Sequence, residues 1–145
     1  MTRLDHFLFL TLVIAATCPA AAQVPDQFDL SCKGKITHRM AGKQTSPSET
    51  WTDRFRIDRS AGLYCDGACA KPNKIENAAG PVILLRRFST GNFRYEKLID
   101  LARMRYTRQD VRLFGIINSV DRTDAKCRLF PFSGLPRLDS ESPAR

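Results

Sequence analysis

Histidine is almost missing from this sequence: 145 residues contain two, His6 and His38. That scarcity removes several chemistries at once. A c-type haem attachment needs a Cys-x-x-Cys-His run, and none occurs. A zinc site of mixed thiolate and imidazole ligands, or a nucleophile activated by a neighbouring imidazole, would have only His38 to draw on outside the first residues. Acidic residues are also scarce, 15 against 23 basic ones, which leaves a formal net charge of +8. Such a field favours acidic partners and also keeps a small protein soluble. Long apolar runs are lacking too. The first, residues 7–16, is too short for a helix that crosses a hydrocarbon core, which takes about 20 residues, and no later segment is apolar enough.

What the start of the chain does contain is the pattern of an export signal. A short polar opening with Arg3 precedes the apolar run, Thr17-Cys18-Pro19 breaks it, and Ala20-Ala21-Ala22 supplies small residues for a signal peptidase. The expected cut lies between Ala22 and Gln23. Residues 23–132 then form one domain, and 133–145, polar and proline-containing, are expected to fray. Arg3 and Asp5 cancel, so removal of residues 1–22 leaves the charge unchanged.

Outside the signal the cysteines are Cys32, Cys65, Cys69 and Cys127. An even count in an exported small domain reads as disulfides, and four thiols allow three pairings. Cys65-Asp66-Gly67-Ala68-Cys69 is a tight turn in which Gly67 is free to take a positive φ. Its cysteines are expected to pair with each other, leaving Cys32–Cys127 to tie the first strand to the last. A redox motif has two residues between its cysteines and opens a helix, whereas three intervene here.

Residues 27–38 alternate, with Phe28, Leu30, Cys32, Gly34 and Ile36 on one side and Asp29, Ser31, Lys33, Lys35 and Thr37 on the other. Period-two alternation marks a strand with one buried face. Residues 49–58 repeat it, with Trp51, Phe55 and Ile57 inward and Thr50, Thr52, Arg54 and Arg56 outward. Asp58 opens a turn through an Asx-type bond, and residues 63–65 return as a short strand. Residues 82–88 read as a strand with Val82 and Leu84 inside. Residues 97–105 fit a short helix, through Leu98, Leu101 and Met104, and a strand equally well. Residues 111–120 read as one strand, 121–124 as a turn and 125–130 as the closing strand. Six to nine short strands with turns between them predict a mainly β protein. The expected architecture is a single antiparallel β-sandwich or small meander barrel braced by two disulfides.

Four pieces together carry a resemblance: Phe28-x-Leu30-x-Cys32-x-Gly34, residues 53–58 (Asp-Arg-Phe-Arg-Ile-Asp), Tyr64-Cys65-x-x-x-Cys69, and Cys127-x-x-x-Pro131-Phe132-Ser133-Gly134-Leu135-Pro136. They resemble small exported proteobacterial proteins of unknown function, in which a signal peptide precedes a four-cysteine β domain. The likeness covers most of the mature chain and implies a Gram-negative envelope setting. It implies no activity, cofactor or catalytic residue. Those proteins usually read Gly-x-Cys where this chain has Ala125-Lys126-Cys127.

No catalytic, metal-binding or cofactor-binding residue is assigned. Histidine is the side-chain type suited to general-base work near neutral pH, but His38 has no evident nucleophile beside it. Asp53 and Asp58 are an odd number of residues apart on one strand and so face opposite sides, which argues against a paired acid and base. The arginines are the more informative feature. Arg54, Arg56, Arg86 and Arg87, with others in later strands, would form an anion-binding patch if neighbouring strands share a face. Otherwise they are strand-edge protection and scattered ion pairs. Tyr64, Phe93, Tyr95 and Tyr106 suit core and cross-strand packing. Export makes nucleic acid an unexpected partner.

The sequence thus predicts a non-catalytic binding module, periplasmic or secreted, that meets an anionic envelope component or an acidic protein. The alternatives are a small periplasmic enzyme with an unrecognised site and a structural or inhibitory protein acting through an exposed loop such as that at 39–48.

Overall fold

The computed structural model describes residues 24–136, apart from 42, 44, 45 and 116. The proposed signal and residues 137–145 lie outside the described residues. Within them every regular element is a strand: β1 Gln27–Met40, β2 Glu49–Asp58, β3 Leu63–Asp66, β4 Asn73–Lys74, β5 Val82–Thr90, β6 Phe93–Asp100, β7 Arg105–Phe114 and β8 Ile117–Phe130.

The strands form one eight-stranded antiparallel sheet in the order β4-β3-β2-β1-β8-β7-β6-β5. Each strand lies beside its sequence neighbour, and the first pairs with the last. This is a meander that curls round on itself, as short connections favour. The two ends of the sheet approach where the chain passes from β4 to β5. There the Leu84 amide donates to the Asn77 carbonyl (2.8 Å), and the Glu76 and Asn77 amides both donate to the Leu84 carbonyl (3.1 Å). The barrel is nearly closed by this bridge.

Both disulfides form as expected, Cys32–Cys127 and Cys65–Cys69. Cys32 lies directly opposite Cys127 in the β1–β8 ladder, with Cα atoms 4.0 Å apart. Two residues further on, Gly34 faces Ala125. A Cβ on Gly34 would overlap the Asp124 carbonyl oxygen and the Ala125 backbone. Glycine is therefore what allows these two long strands to approach closely.

The inward faces at one end of the barrel build the core. Phe28, Leu30 and Cys32 meet Phe55 and Ile57, Tyr64, Ile83 and Leu85, Ile99, Leu101 and Tyr106, all nearly inaccessible to solvent. Trp51 packs against this core and stacks on Tyr106, ring centroids 4.8 Å apart. Asp58 closes the end of β2 as expected. It accepts from the Ala61 amide (2.8 Å), the Ser60 hydroxyl (2.7 Å) and the Gln27 side-chain amide (2.7 Å). Burial raises the pKa of its carboxyl, but these hydrogen bonds to the charged form outweigh burial and hold it below the ordinary aspartate value. A depressed carboxylate adds stability above its unfolded pKa and loses it as the pH falls through the folded one. Asp58→Asn should therefore cost stability at neutral pH, by an amount that shrinks below about pH 4. Urea melts of both proteins at pH 7 and pH 3 would measure this.

Four local expectations are corrected, and the choice left open at 97–105 is decided. Ile83 and Leu85 are buried, not Val82 and Leu84; Val82 is exposed. The run at 82–85 is wholly apolar, so alternation cannot set its phase. The phase comes from pairing Ile83 with Ile99, and a register shift between Leu84 and Arg86 leaves Leu85 as an extra inward residue. Residues 97–105 hold no helix. β6 runs to Asp100, whose carboxylate accepts from the Arg103 amide (3.0 Å), and the chain turns through Met104 at φ 49° into β7. Residues 111–120 are not one strand but a hairpin, reversed at Gly115, where φ is 61°. Residues 121–124 are not a turn but the middle of β8. Their turn chemistry is overridden because Asp121 pairs with His38, Thr123 is buried and Asp124 pairs with Arg105. Residues 133–134, placed at the start of the tail, are tied down: Ser133 donates through its amide (3.2 Å) and hydroxyl (2.6 Å) to Asp29, and Gly134 accepts from Arg56 (3.3 Å).

Candidate functional site: a basic outer face and a charged barrel interior

Pairing register decides which side chains share the barrel's outer surface. Outward residues of β1 are Ser31, Lys33 and Lys35. Across from them stand Arg54, Thr52 and Thr50 on β2 and Arg128, Lys126 and Asp124 on β8. Arg105 of β7 lies opposite Lys126. Lys33, Lys126 and Arg105 thus form a row across three adjacent strands. Arg54 and Arg128 flank Ser31 in the next row. Strands in a sheet are about 4.8 Å apart, and same-face residues two apart lie about 6.6–6.8 Å apart along a strand. The result is a small lattice of positive charge. Among the described residues Lys33, Lys126, Arg54 and Arg128 make no ion pair, while Arg105 pairs with Asp124. Lys33, Lys126, Arg54 and Arg128 are all exposed.

The sequence-derived patch is therefore divided. Arg54 and Arg56 fall on the face just described, with Arg56 half-buried over Gly134. Arg86 and Arg87 lie on β5, at the opposite end of the sheet order, so no ladder joins them to β2. Arg87 instead pairs with Glu96 (2.7 Å). Lys33, Lys126 and Arg128 were the missed members. Their signal was present in the alternation of 27–38 and 125–130, but the β1–β8 pairing that unites them is non-local.

The second cluster lies inside. Beyond the apolar core, the same inward faces turn polar: Asp53 on β2, Asp66 on β3, Tyr95 and Lys97 on β6, Arg108 and Asp110 on β7. Lys97 bonds to Asp66 (2.5 Å), and Arg108 to Asp110 (2.5 Å). Both cations lie near the Tyr95 ring, Lys97 at 5.8 Å and Arg108 at 5.3 Å from its centroid. Burial alone would lower the Lys97 pKa, but hydrogen bonds to Asp66 and Tyr95 raise it above the ordinary value, so the ammonium stays charged. Asp53 shifts the other way from Asp58. Burial raises it, and the neighbouring Asp66 charge adds to that. Burial also pushes the Tyr106 phenol far up. Arg108 Nε and Asp110 Oδ1 are buried with no hydrogen-bond partner. The cluster is otherwise self-paired, with each cation answered by a carboxylate.

His38, the candidate base, is bound to Asp121 (Nδ1 to Oδ1, 2.8 Å) directly opposite it on β8. Among the described residues no group of three or more His, Cys, Asp or Glu side chains is placed to hold a metal ion, and no helix is long and apolar enough to cross a membrane. The two disulfides fit an oxidising compartment. Comparison of the chain with protein-family models, with curated proteins and with solved structures finds no match.

Proposed function

We propose that this protein is a non-catalytic binding module of the periplasm or cell exterior that engages an anionic envelope component or an acidic protein through the outer face of β2, β1, β8 and β7. One observation carries the reading: Lys33 and Lys126 stand directly opposite each other on paired strands, with Arg105 next in line. Like charges in that position cost stability unless something external answers them. An extended anion that presents several charges at strand spacing would do so, and its carboxylates or phosphates would meet arginine in the bidentate geometry that guanidinium favours.

The alternative, a small periplasmic enzyme, would have to draw on the interior cluster. There both cations, Lys97 and Arg108, are already committed to a carboxylate.

Two double variants with the same change in net charge separate a specific face from bulk charge. Arg54→Glu with Lys126→Glu should elute from an anionic matrix at clearly lower salt than the wild type. Arg86→Glu with Arg87→Glu should elute close to the wild type. Equal shifts for the two would show that only net charge matters, and the proposed face would be abandoned.

A further inference from the structure

At the end of the barrel away from the apolar core, the last residues of β1 and β7 and the first of β8 frame a small hollow. Pairing register sets its walls. His38 stands opposite Asp121, Met40 opposite Ser119, and Ser119 opposite Arg112. All five follow the inward phase that Cys32, Cys127 and Tyr106 hold deeper in the barrel. The chain after β1 folds back over this end. The Lys43 amide donates to the Met40 carbonyl (3.2 Å), and the Ser46 amide donates to the His38 carbonyl (3.2 Å). Lys43 and Ser46 thereby join the strand residues in lining a cavity of about 280 Å³.

The charge of this hollow is unbalanced. The one carboxylate among its described lining residues, Asp121, is already bonded to His38 (2.8 Å). That bond uses Nδ1 and leaves Nε2 for another partner. Lys43 and Arg112 make no ion pair among the described residues. Donors therefore meet here from three parts of the chain: an ammonium and a hydroxyl from the loop, a hydroxyl from β8 and a guanidinium from β7. A planar carboxylate is satisfied by the guanidinium alone, whereas a tetrahedral oxyanion offers an oxygen to each donor. The volume lies at the lower end of small-molecule sites, about 300–1,000 Å³, so the occupant is compact and not a long run of charges. Met40, 46% exposed, gives the hollow an apolar side suited to the carbon skeleton of an ester.

We infer that this hollow binds a single phosphate group, borne by a small phosphomonoester or by a phospholipid headgroup, with Arg112 and Lys43 on its oxygens and Ser46 and Ser119 donating to them. The site is separate from the basic outer face. Asp121 lies five residues along β8 from Lys126, and His38 seven along β1 from Ser31, the partner of Arg54. At about 3.3 Å per residue these separations are roughly 17 and 23 Å, well beyond the Debye length of about 8 Å at physiological salt.

The test is calorimetric titration of the disulfide-bonded protein with inorganic phosphate, glycerol 3-phosphate and acetate, at one ionic strength held with sodium chloride. Saturable one-site binding of phosphate or its ester, and no comparable binding of acetate, is expected. Lys43→Gln with Arg112→Gln should weaken binding at least tenfold, since charge-assisted hydrogen bonds are lost. Both side chains are exposed, so the fold should survive, and a thermal melt checks this. Arg54→Gln with Lys126→Gln removes the same charge from the outer face and should leave affinity within about twofold. Cosedimentation of that outer-face variant with phosphatidic acid vesicles separates the two sources. Retention that the added Lys43 and Arg112 changes abolish assigns the phosphate to a lipid, and binding of glycerol 3-phosphate without retention assigns it to a soluble ester. The inference is overturned if none of the phosphate probes binds, if acetate binds as tightly as phosphate, if Lys43→Gln with Arg112→Gln binds like the wild type, or if the outer-face variant loses as much affinity. The outer-face proposal is read from the anionic matrix instead, so either can fail without the other.

Discussion

Replacement of Cys32 and Cys127 together by alanine is expected to lower the stability of the domain by about 4–5 kcal/mol. The two residues are separated by 95 positions, so the bond closes nearly the whole barrel into one loop. In the chain-entropy description the denatured state gains most when so long a loop is released. Domains of this size have stabilities of roughly 5–15 kcal/mol, so the loss removes a large share. Replacing Cys65 and Cys69 should cost far less, about 2 kcal/mol, because that loop spans only 4 positions. Urea unfolding of the two double variants would read the difference in midpoint. Equal losses would mean that the β1–β8 bond does not act mainly on the unfolded chain.

Gly34→Val should be the most damaging single substitution at a glycine, at about 3 kcal/mol or more. The obstacle is backbone, not a movable side chain. A Cβ at this position meets the Asp124 carbonyl oxygen and the Ala125 Cα, so β1 and β8 must separate where they are tied by Cys32–Cys127. Because the β1–β8 ladder also aligns the basic face, a displaced strand would disturb Lys33 and Lys126 as well. Gly91→Ala is the matching control. Gly91 has open space around its Cβ position and an ordinary backbone, so its variant should lie within about 0.5 kcal/mol of the wild type. Thermal melts of both variants would measure the contrast, and a mild Gly34→Val variant would show that the two strands are less closely apposed.

The parts of this fold that were legible in the sequence are those with a strict local pattern. Residues 27–38 and 49–58 alternate because one face of each strand is apolar and the other faces solvent, and both became strands with the expected inward residues. The tight turn at 65–69 determined one disulfide and, by remainder, the other. The errors fall where local pattern is uninformative. At 82–85 four apolar residues in a row give no phase, and contact with Ile99 chose it. At 111–120 the spacing of Val111, Leu113, Gly115 and Ile117 concealed a hairpin at Gly115, while Asp121, Thr123 and Asp124 resembled a turn until cross-strand partners on β1 and β7 absorbed them.

The interior cluster was missed for a related reason. Asp53 shares its side of β2 with Trp51 and Phe55, Lys97 shares its side of β6 with Ile99, and Arg108 follows the parity of Tyr106. A charged residue in inward phase is the available signal, and Arg108 and Asp110, two apart on β7, carry it together, but only the curl of the whole sheet brings Lys97 of β6 to Asp66 of β3. The basic face is the converse case. Its residues were individually evident as outward cations, but the rows that join Lys33 to Lys126 and Arg54 to Arg128 depend on the first strand meeting the last.

The register of β1 against β8 therefore supports both the stability and the proposed binding surface. Non-reducing proteolysis of protein recovered from its native compartment, with mass analysis of the linked peptides, tests it most directly. The account predicts one linked pair containing Cys32 and Cys127 and a second species with Cys65 and Cys69 joined. Free thiols at these positions, or Cys32 joined to Cys65 or Cys69, would contradict it.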